Sequence, residues 1–329
     1  MPVLGKLVGD KMSVRADQAG RAGVAVAGRG LYRPGAAPAL ADSSRTCAAS
    51  GCRSAWSLPW KNRTRPVFEG NWGCSARCLE SLVRTAVRRE AGESGPAEAD
   101  VPHRHRVPLG LVLLAQGWIT HPQLQAALAA QRASGRGRIG EWLTQSCGLE
   151  EERIARGLGV QWSCPVLGTE RFSPAAMALV MPKRFVAEFG MVPLRVAGST
   201  LLYMAFENRM NAPAALAVEQ MTRLSVECGL LPASQFEAAR AAILAAEGIP
   251  VHMKLVADAD ALSTAIVKVL ESRQPIATRL VRVQQYFWLR LWNETGATQG
   301  IARLPSSPED IEDHVFMIGR DSSTAGNRA

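Results

Sequence analysis

Hydrophobic positions between residues 107 and 161 follow a helical spacing that occurs twice in one register. Gly110 and Gly140 stand 140 − 110 = 30 residues apart, and the same offset relates Leu113 to Leu143. Each copy predicts a short apolar helix, a glycine break and a second amphipathic helix that ends at a glutamine. Four further pairs share the offset: Leu109 and Ile139, Leu124 and Ile154, Leu128 and Leu158, and Gln131 and Gln161. Two stacked helical hairpins are expected, and burial of their own apolar stripes would be enough to explain the repeat.

The pattern changes after the repeat to one that mixes helices and strands. Alternating positions over 191–196 and 200–206, around a glycine-containing turn, predict a hairpin. Helical spacing over 211–221 and again over 234–246 predicts two helices. The fold class expected from these elements is α+β, with paired helical hairpins followed by a small α/β subdomain.

The C-terminal third predicts a further strand, a helix and a hairpin. They form either a small α+β unit over residues 248–296 or an extension of the preceding sheet. Residues 297–329 are acidic and then polar, which favours a disordered tail. His314 has no companion in that stretch of sequence.

The two repeated phrases, LGLVLLAQGWITHPQLQAALAAQ and RIGEWLTQSCGLEEERIARGLGVQ, resemble the paired motifs of one known domain. It is the N-terminal domain of type II secretion and type IV pilus assembly ATPases. The resemblance continues through the following α/β stretch and covers roughly residues 107–244. It implies that residues 107–247 adopt this fold and that proteins of a secretion or pilus machinery are the partners.

In some members of this family the domain binds the second messenger cyclic di-GMP, and each motif holds part of the ligand. Carried onto this sequence, the first motif offers Leu109, Gly110, Leu113, Gly117, Leu124, Leu128 and Gln131. The second motif offers Arg138, Ile139, Gly140, Leu143, Ile154, Leu158 and Gln161. The chain departs from the family pattern at Pro108, where the motif has Arg, and at Cys147, where it has Gly. Because a guanidinium can clamp a phosphate through two hydrogen bonds, ligand binding and a purely docking role both stay open.

Four cysteines before the repeat form a second pattern. Cys47, Cys52, Cys74 and Cys78 read C-x4-C, 21 residues, C-x3-C, a two-knuckle spacing that lets four thiolates surround one tetrahedral zinc. The intervening residues include few aliphatics, so a metal would supply folding energy to a small zinc-ribbon-like module at residues 46–90. Unliganded thiols and disulfides are the alternatives. Loss of the metal is expected to unfold this module and to leave the domain after the linker folded.

The basic charge lies mainly in the N-terminal third. Residues 1–106 hold 17 of the 38 Lys and Arg but only 9 of the 29 Asp and Glu. Residues 1–45 are rich in Gly, Ala and Arg without a period, which favours disorder or a start codon placed too far upstream, with Met12 as the alternative start. Basic residues also lie between and after the knuckles, which makes zinc-dependent nucleic-acid binding an alternative function: Lys61, Arg63, Arg65, Arg84, Arg88 and Arg89.

The absence of certain sequence motifs reduces the number of possible functions further. The sequence contains no G-x-x-x-x-G-K-[ST] loop, which the motor domain of a secretion ATPase needs to cradle phosphates. It also contains no apolar run of membrane-spanning length and no signal peptide, so the cytoplasm is the expected compartment. Residues 91–106 are polar and predict a linker that carries His103 and His105. The sequence therefore predicts a non-catalytic adaptor or regulatory protein, with a cyclic di-GMP receptor and a nucleic-acid-binding zinc protein as alternatives.

Overall fold

The structure is a computed structural model that describes residues 47–52, 67–93, 107–207, 209–293, 304–305 and 307–319. All of these belong to one compact unit, residues 34–329. Helices and small sheets are mixed throughout them, which confirms the predicted α+β class. Within this part of the chain no helix is long and apolar enough to cross a membrane.

The repeat forms four helices: α2 (Leu109–Ala115), α3 (His121–Ser134), α4 (Ile139–Cys147) and α5 (Glu151–Trp162). Gly117 and Gly148 provide the breaks with φ of 68° and 64°, a left-handed conformation that glycine adopts without strain. A capping box starts α3, because Thr120 accepts from the amide of Gln123 while the Gln123 side chain accepts from the amide of Thr120. Helix α2 packs against α5, and α3 packs against α4. Exchange of the two repeats turns the α2–α5 contact into the α4–α3 contact, which gives the pair a pseudo-two-fold arrangement.

A three-stranded sheet follows, with the order β3-β4-β5. Strands β3 (Met191–Ala197) and β4 (Leu201–Phe206) form the predicted antiparallel hairpin, and β5 (Ser225–Leu230) lies parallel to β4. The surrounding helices are α6 (Pro174–Met177), α7 (Lys183–Phe189), α8 (Ala212–Thr222) and α9 (Ala233–Ala245). Their apolar side chains belong to a core that continues into the C-terminal sheet.

The C-terminal sheet has the order β6-β9-β8-β7. Its elements are β6 (Val251–Val256), α10 (Ala259–Arg273), β7 (Ala277–Val283), β8 (Tyr286–Trp292) and β9 (Ile311–Ile318). Strand β9 is parallel to β6 and antiparallel to β8. The prediction of a disordered tail over 297–329 is wrong for residues 311–318, because β9 is an inner strand whose polar side chains find partners far away in the chain. One of these, Asp313, is fully buried and accepts two hydrogen bonds of 2.8 Å from the buried Arg290.

The described N-terminal residues pack onto this sheet. Strands β1 (Val67–Phe68) and β2 (Asn71–Trp72) form a short hairpin before α1 (Ala76–Glu93), and α1 packs against α10 and β7. The free edge of β7 is covered by two carboxylates, since Glu69 accepts from the amide of Leu280 and Glu90 from the amide of Arg282. Apolar residues of α1 join those of α10 and the sheet in one core: Leu79, Val83, Ala86, Val87, Leu262, Ile266, Leu270, Leu280 and Phe287.

Candidate functional site

Most apolar residues of the two motifs are used inside the helical repeat. Leu113 and Leu143 are fully buried, and Leu109 and Leu124 are 8% and 7% exposed. The motif glycines allow the close approach, because a Cβ at Gly110 would lie 2.7 Å from Leu124 Cδ1. Half-buried motif residues border this core: Leu128, Ile139, Ile154 and Leu158. The buried members hold the two hairpins together and are not placed to touch a ligand at the surface.

The closing glutamines make equivalent contacts across the pseudo-two-fold. Gln131 donates from Nε2 to the carbonyl of Gly137 at 2.9 Å, and Gln161 donates to the carbonyl of Val107 at 2.7 Å. Residues 107 and 137 are themselves 30 positions apart, so each repeat ends on the start of the other. The recurrence of Gln in the sequence thus has a structural reason that is independent of any ligand.

The starts of the two motifs differ in charge. Arg138 begins α4 with its side chain 58% exposed, and its guanidinium forms an ion pair of 2.6 Å with Glu207, at the end of β4. The first motif has Pro108 at the equivalent place, where the backbone turns into α2 without a side-chain cap. Glu207 is a site residue that sequence reasoning missed, because it lies 69 residues beyond Arg138 and no local pattern links them. Cys147, the other departure from the family pattern, donates from Sγ to the carbonyl of Gln123.

An apolar patch marks the start of the first repeat. Val107, Leu111 and Val160 are 55%, 52% and 55% exposed. Val107 accepts the Gln161 hydrogen bond, Val160 precedes Gln161 in α5, and Leu111 lies on α2, which packs against α5. The residue equivalent to Leu111 in the second repeat is Glu141, so one end of the pseudo-symmetric pair is apolar and the other is charged. We call these three residues the α2/α5 patch.

The four cysteines predicted as metal ligands lie together. Their Sγ atoms are all within 4.8 Å of one another, and Cys74 Sγ lies 3.5 Å from both Cys52 Sγ and Cys78 Sγ. A tetrahedral zinc with Zn–S bonds of about 2.3 Å requires sulfurs about 3.8 Å apart. The separations suit that geometry and exceed the ~2.05 Å of a disulfide. The amide of Cys74 also donates to Cys47 Sγ at 3.3 Å, a contact that stabilises thiolate charge.

Local hydrogen bonding shifts the pKa of two of the four thiols in opposite directions. Hydrogen bonds with Cys52 and Cys78, together with burial, raise the pKa of Cys74 to about 12. A hydrogen bond from the side chain of Ser75 lowers the pKa of Cys78 to about 7. A divalent cation that bound all four sulfurs would release the protons that the thiols hold.

Two of the three arginines singled out after the second knuckle form ion pairs with carboxylates. Arg84 pairs with Glu80 at 3.0 Å, and Arg89 pairs with Glu69 at 2.9 Å and with Glu90 at 2.8 Å. Their positive charge is thus largely neutralised within the fold, which reduces what they can offer to nucleic-acid phosphates. Arg88 lies exposed on α1. The remaining basic and histidine residues singled out near this module lie outside the described residues: Lys61, Arg63, Arg65, His103 and His105.

Comparison with known proteins gives structural likenesses only. No family model and no curated protein matches the chain. A solved structure of MshE with cdg is 25% identical and covers 41% of this chain and 98% of that one, with a TM-score of 0.33. Two crystal forms of the N-terminal domain of XpsE are 18% and 17% identical, with TM-scores of 0.29 and 0.23. They cover 41% and 40% of this chain and 92% and 90% of their own. More than half of this chain lies outside each of these likenesses.

Proposed function

We propose that this protein is a non-catalytic adaptor or regulatory protein of a type II secretion or type IV pilus-like system. It docks onto a protein of that machinery through the helical repeat. The resemblance of the two repeated phrases to secretion-ATPase motifs supplies the pathway. The observation that carries the docking role is the α2/α5 patch, because three apolar side chains more than half exposed favour a protein partner.

The asymmetry of the repeat supports docking at this end. Where the second repeat presents the charged Arg138 and Glu141, the first presents Pro108 and Leu111. A surface with Val107, Leu111 and Val160 exposed gains free energy when a partner covers it, at roughly 25 cal/mol per Å² of apolar area. The partner expected is a machinery protein with a complementary apolar surface.

A charge placed in the α2/α5 patch tests the docking role. Leu111→Asp is expected to remove binding of the secretion or pilus protein, since burying an unpaired carboxylate in an apolar interface is strongly unfavourable. The matched control is Leu216→Asp, because Leu216 is 56% exposed but lies on α8. Each full-length variant would be cross-linked in cells of the source organism, and the partners identified by mass spectrometry. If neither variant enriches a secretion or pilus component, or if both variants enrich it equally, the proposal is contradicted.

The four-Cys cluster is proposed to hold one structural zinc. In this role Cys47, Cys52, Cys74 and Cys78 are the ligands, and the metal fixes the β1-β2 hairpin at the start of α1. Its contribution is to stability, since four sulfur ligands leave a tetrahedral zinc no open position.

A second candidate function is cyclic di-GMP reception. The observation that favours it is the pseudo-two-fold of the repeat, since this dinucleotide is itself two-fold symmetric. Only one motif start carries an arginine, and Glu207 competes for it at 2.6 Å. Loss of one charge-assisted contact costs about 1.5–3 kcal/mol, so binding tighter than micromolar is not expected.

Calorimetric titration with cyclic di-GMP tests this candidate. Pro108→Arg adds the missing cation and Glu207→Gln removes the competing charge, so either change is expected to tighten binding by about 10-fold or more. Arg138→Ala is expected to abolish it. The absence of heat from all of these variants and from the unaltered chain would leave the repeat as a docking element.

A further inference from the structure

Two histidines and a glutamate meet on one face of the C-terminal sheet. His252 on β6 lies opposite His314 on the neighbouring parallel strand β9. Glu312 precedes His314 by two residues, and residues two apart in a strand point to the same face. His314 thus has companions that its own stretch of sequence did not reveal.

The side chains of this trio converge on one point. His252 Nε2 and His314 Nε2 each lie 2.9 Å from the same carboxylate oxygen, Glu312 Oε1. One ligand atom from each residue lies within 4.8 Å of the others. Glu312 and His314 are only 6% and 8% exposed, whereas the His252 side chain is about half exposed.

These short contacts do not provide hydrogen bonds for the atoms that make them. Glu312 Oε1 and His314 Nε2 are buried and lack a hydrogen-bond partner within the described part of the chain. Buried polar atoms without a partner are uncommon in native proteins and call for a missing ion or water. The other carboxylate oxygen, Glu312 Oε2, lies 3.1 Å from Arg273 Nε, which fixes the carboxylate with Oε1 turned to the histidines.

We propose that His252, Glu312 and His314 form a binding site for a divalent transition metal such as zinc. Two imidazole nitrogens and one carboxylate oxygen are a donor set that suits Zn²⁺, and Arg273 acts as the supporting partner of the carboxylate. The site is separate from the four-Cys cluster and independent of the docking function.

The geometry requires only a small adjustment. Ligand bonds of about 2.1 Å in a tetrahedral site place the ligand atoms about 3.4 Å apart. The half-exposed His252 on the outermost strand can open the 2.9 Å contact by that difference. The contact between Glu312 Oε1 and His314 Nε2 is also 2.9 Å, so it must open by the same ~0.5 Å, which a small side-chain rotation would provide.

Three protein ligands leave a fourth position open on a tetrahedral metal. A surface cavity of about 330 Å³ adjoins the trio, and His252 and His314 are part of its wall. Lys254 and Lys268 also line this cavity, and their positive charge favours a small anion as the fourth ligand.

Metal content of the full-length chain tests the site. After dialysis against zinc, two zinc ions per chain are expected, one on the cysteines and one on the trio. His252→Ala and Glu312→Gln should each lower this to one and weaken zinc binding at the trio more than about 100-fold. Arg273→Gln, which removes a supporting partner only, should weaken it about 10- to 100-fold. His121→Ala is the matched control, since His121 is an exposed histidine on α3, and it should retain two.

Cobalt(II) separates this proposal from the proposed cysteine site. Cobalt bound by thiolates gives intense charge-transfer absorption, whereas cobalt bound by nitrogen and oxygen gives only weak bands. His252→Ala should lose the weak component and keep the intense one. If Glu312→Gln fails to fold, His252→Ala decides, because its side chain is half exposed. Unaltered protein without the weak component, or a weak component that survives His252→Ala, would overturn the site whether or not the cysteines bind metal.

Discussion

Gly73 controls how closely the second cysteine knuckle can approach the start of α1. A Cβ at this position would lie 2.7 Å from the amide nitrogen of Leu79 and 3.0 Å from the carbonyl carbon of Cys78. Both are backbone atoms, so neither can move aside as a flexible side chain would. The absence of a side chain at Gly73 is therefore a condition for bringing Cys74 and Cys78 to 3.5 Å.

Gly73→Ala is expected to loosen the knuckle, with zinc affinity lowered at least about 10-fold and a stability loss of about 1–3 kcal/mol from overpacking. The control is Gly92→Ala in the last turns of α1, where an added Cβ meets nothing within 4 Å. That variant should be neutral or slightly stabilised, because alanine has the higher helix propensity. Competition with a chelator and thermal unfolding would measure both. Equal behaviour of the two variants would show that the close approach at Gly73 is unimportant.

The grouping of the four cysteines could be predicted from sequence because it depends on short spacings. The C-x4-C and C-x3-C pairs bring two thiolates together locally, and the structure only has to join the pairs. Arg138 illustrates the opposite case. Its place in the motif could be predicted from sequence. Its partner Glu207 comes from the end of another element, so the competition for its charge could not be predicted.

At the scale of elements, the helices and strands that were predicted correctly are those with a strong local hydrophobic period. Helices α2 to α5 were predicted because each buries a regular apolar stripe against a helix of the other repeat. The hairpin β3-β4 was readable from its alternation. Strand β5 was missed, since SVECGL has neither a clear alternation nor a continuous apolar run.

Strand β9 was missed for a different physical reason. Its six residues Ile311–Phe316 are all buried, including three polar ones, because the strand lies between β6 and β8 and both of its faces are covered. The charge of Asp313 is met by Arg290, and that of Glu312 by Arg273. Both partners precede β9 in sequence by 20 residues or more, so the stretch looked polar enough for a tail. The trio of His252, Glu312 and His314 was missed for the same reason, because His252 is far from the other two residues in sequence.

At the scale of the whole molecule, a metal on the cysteine cluster is expected to stabilise more than the two knuckles. Helix α1 begins between Cys74 and Cys78 and contributes Leu79, Val83 and Val87 to the core beneath α10. Each such side chain contributes roughly 1.5–3 kcal/mol when fully buried. The hairpin before α1 also covers the edge of β7 through Glu69. Sequence reasoning treated residues 46–90 as a small module, since neither contact could be inferred from a local pattern.

Removal of the proposed zinc is therefore expected to weaken the C-terminal sheet as well as the module. In Cys74→Ser, amide hydrogen exchange is expected to accelerate in α1 and, by at least about 10-fold, in α10 and β7, because these lose the packing of α1. Helices α2 to α5 should keep their protection, since their core is a separate cluster. Cys147→Ser is the matched control: Cys147 lies outside the four-Cys cluster, and a hydroxyl can replace its hydrogen bond to Gln123. Hydrogen exchange read by mass spectrometry distinguishes the cases. Acceleration confined to residues before 94 would mean that α1 contributes little to the sheet, and acceleration in α2 to α5 would mean that the two cores unfold together.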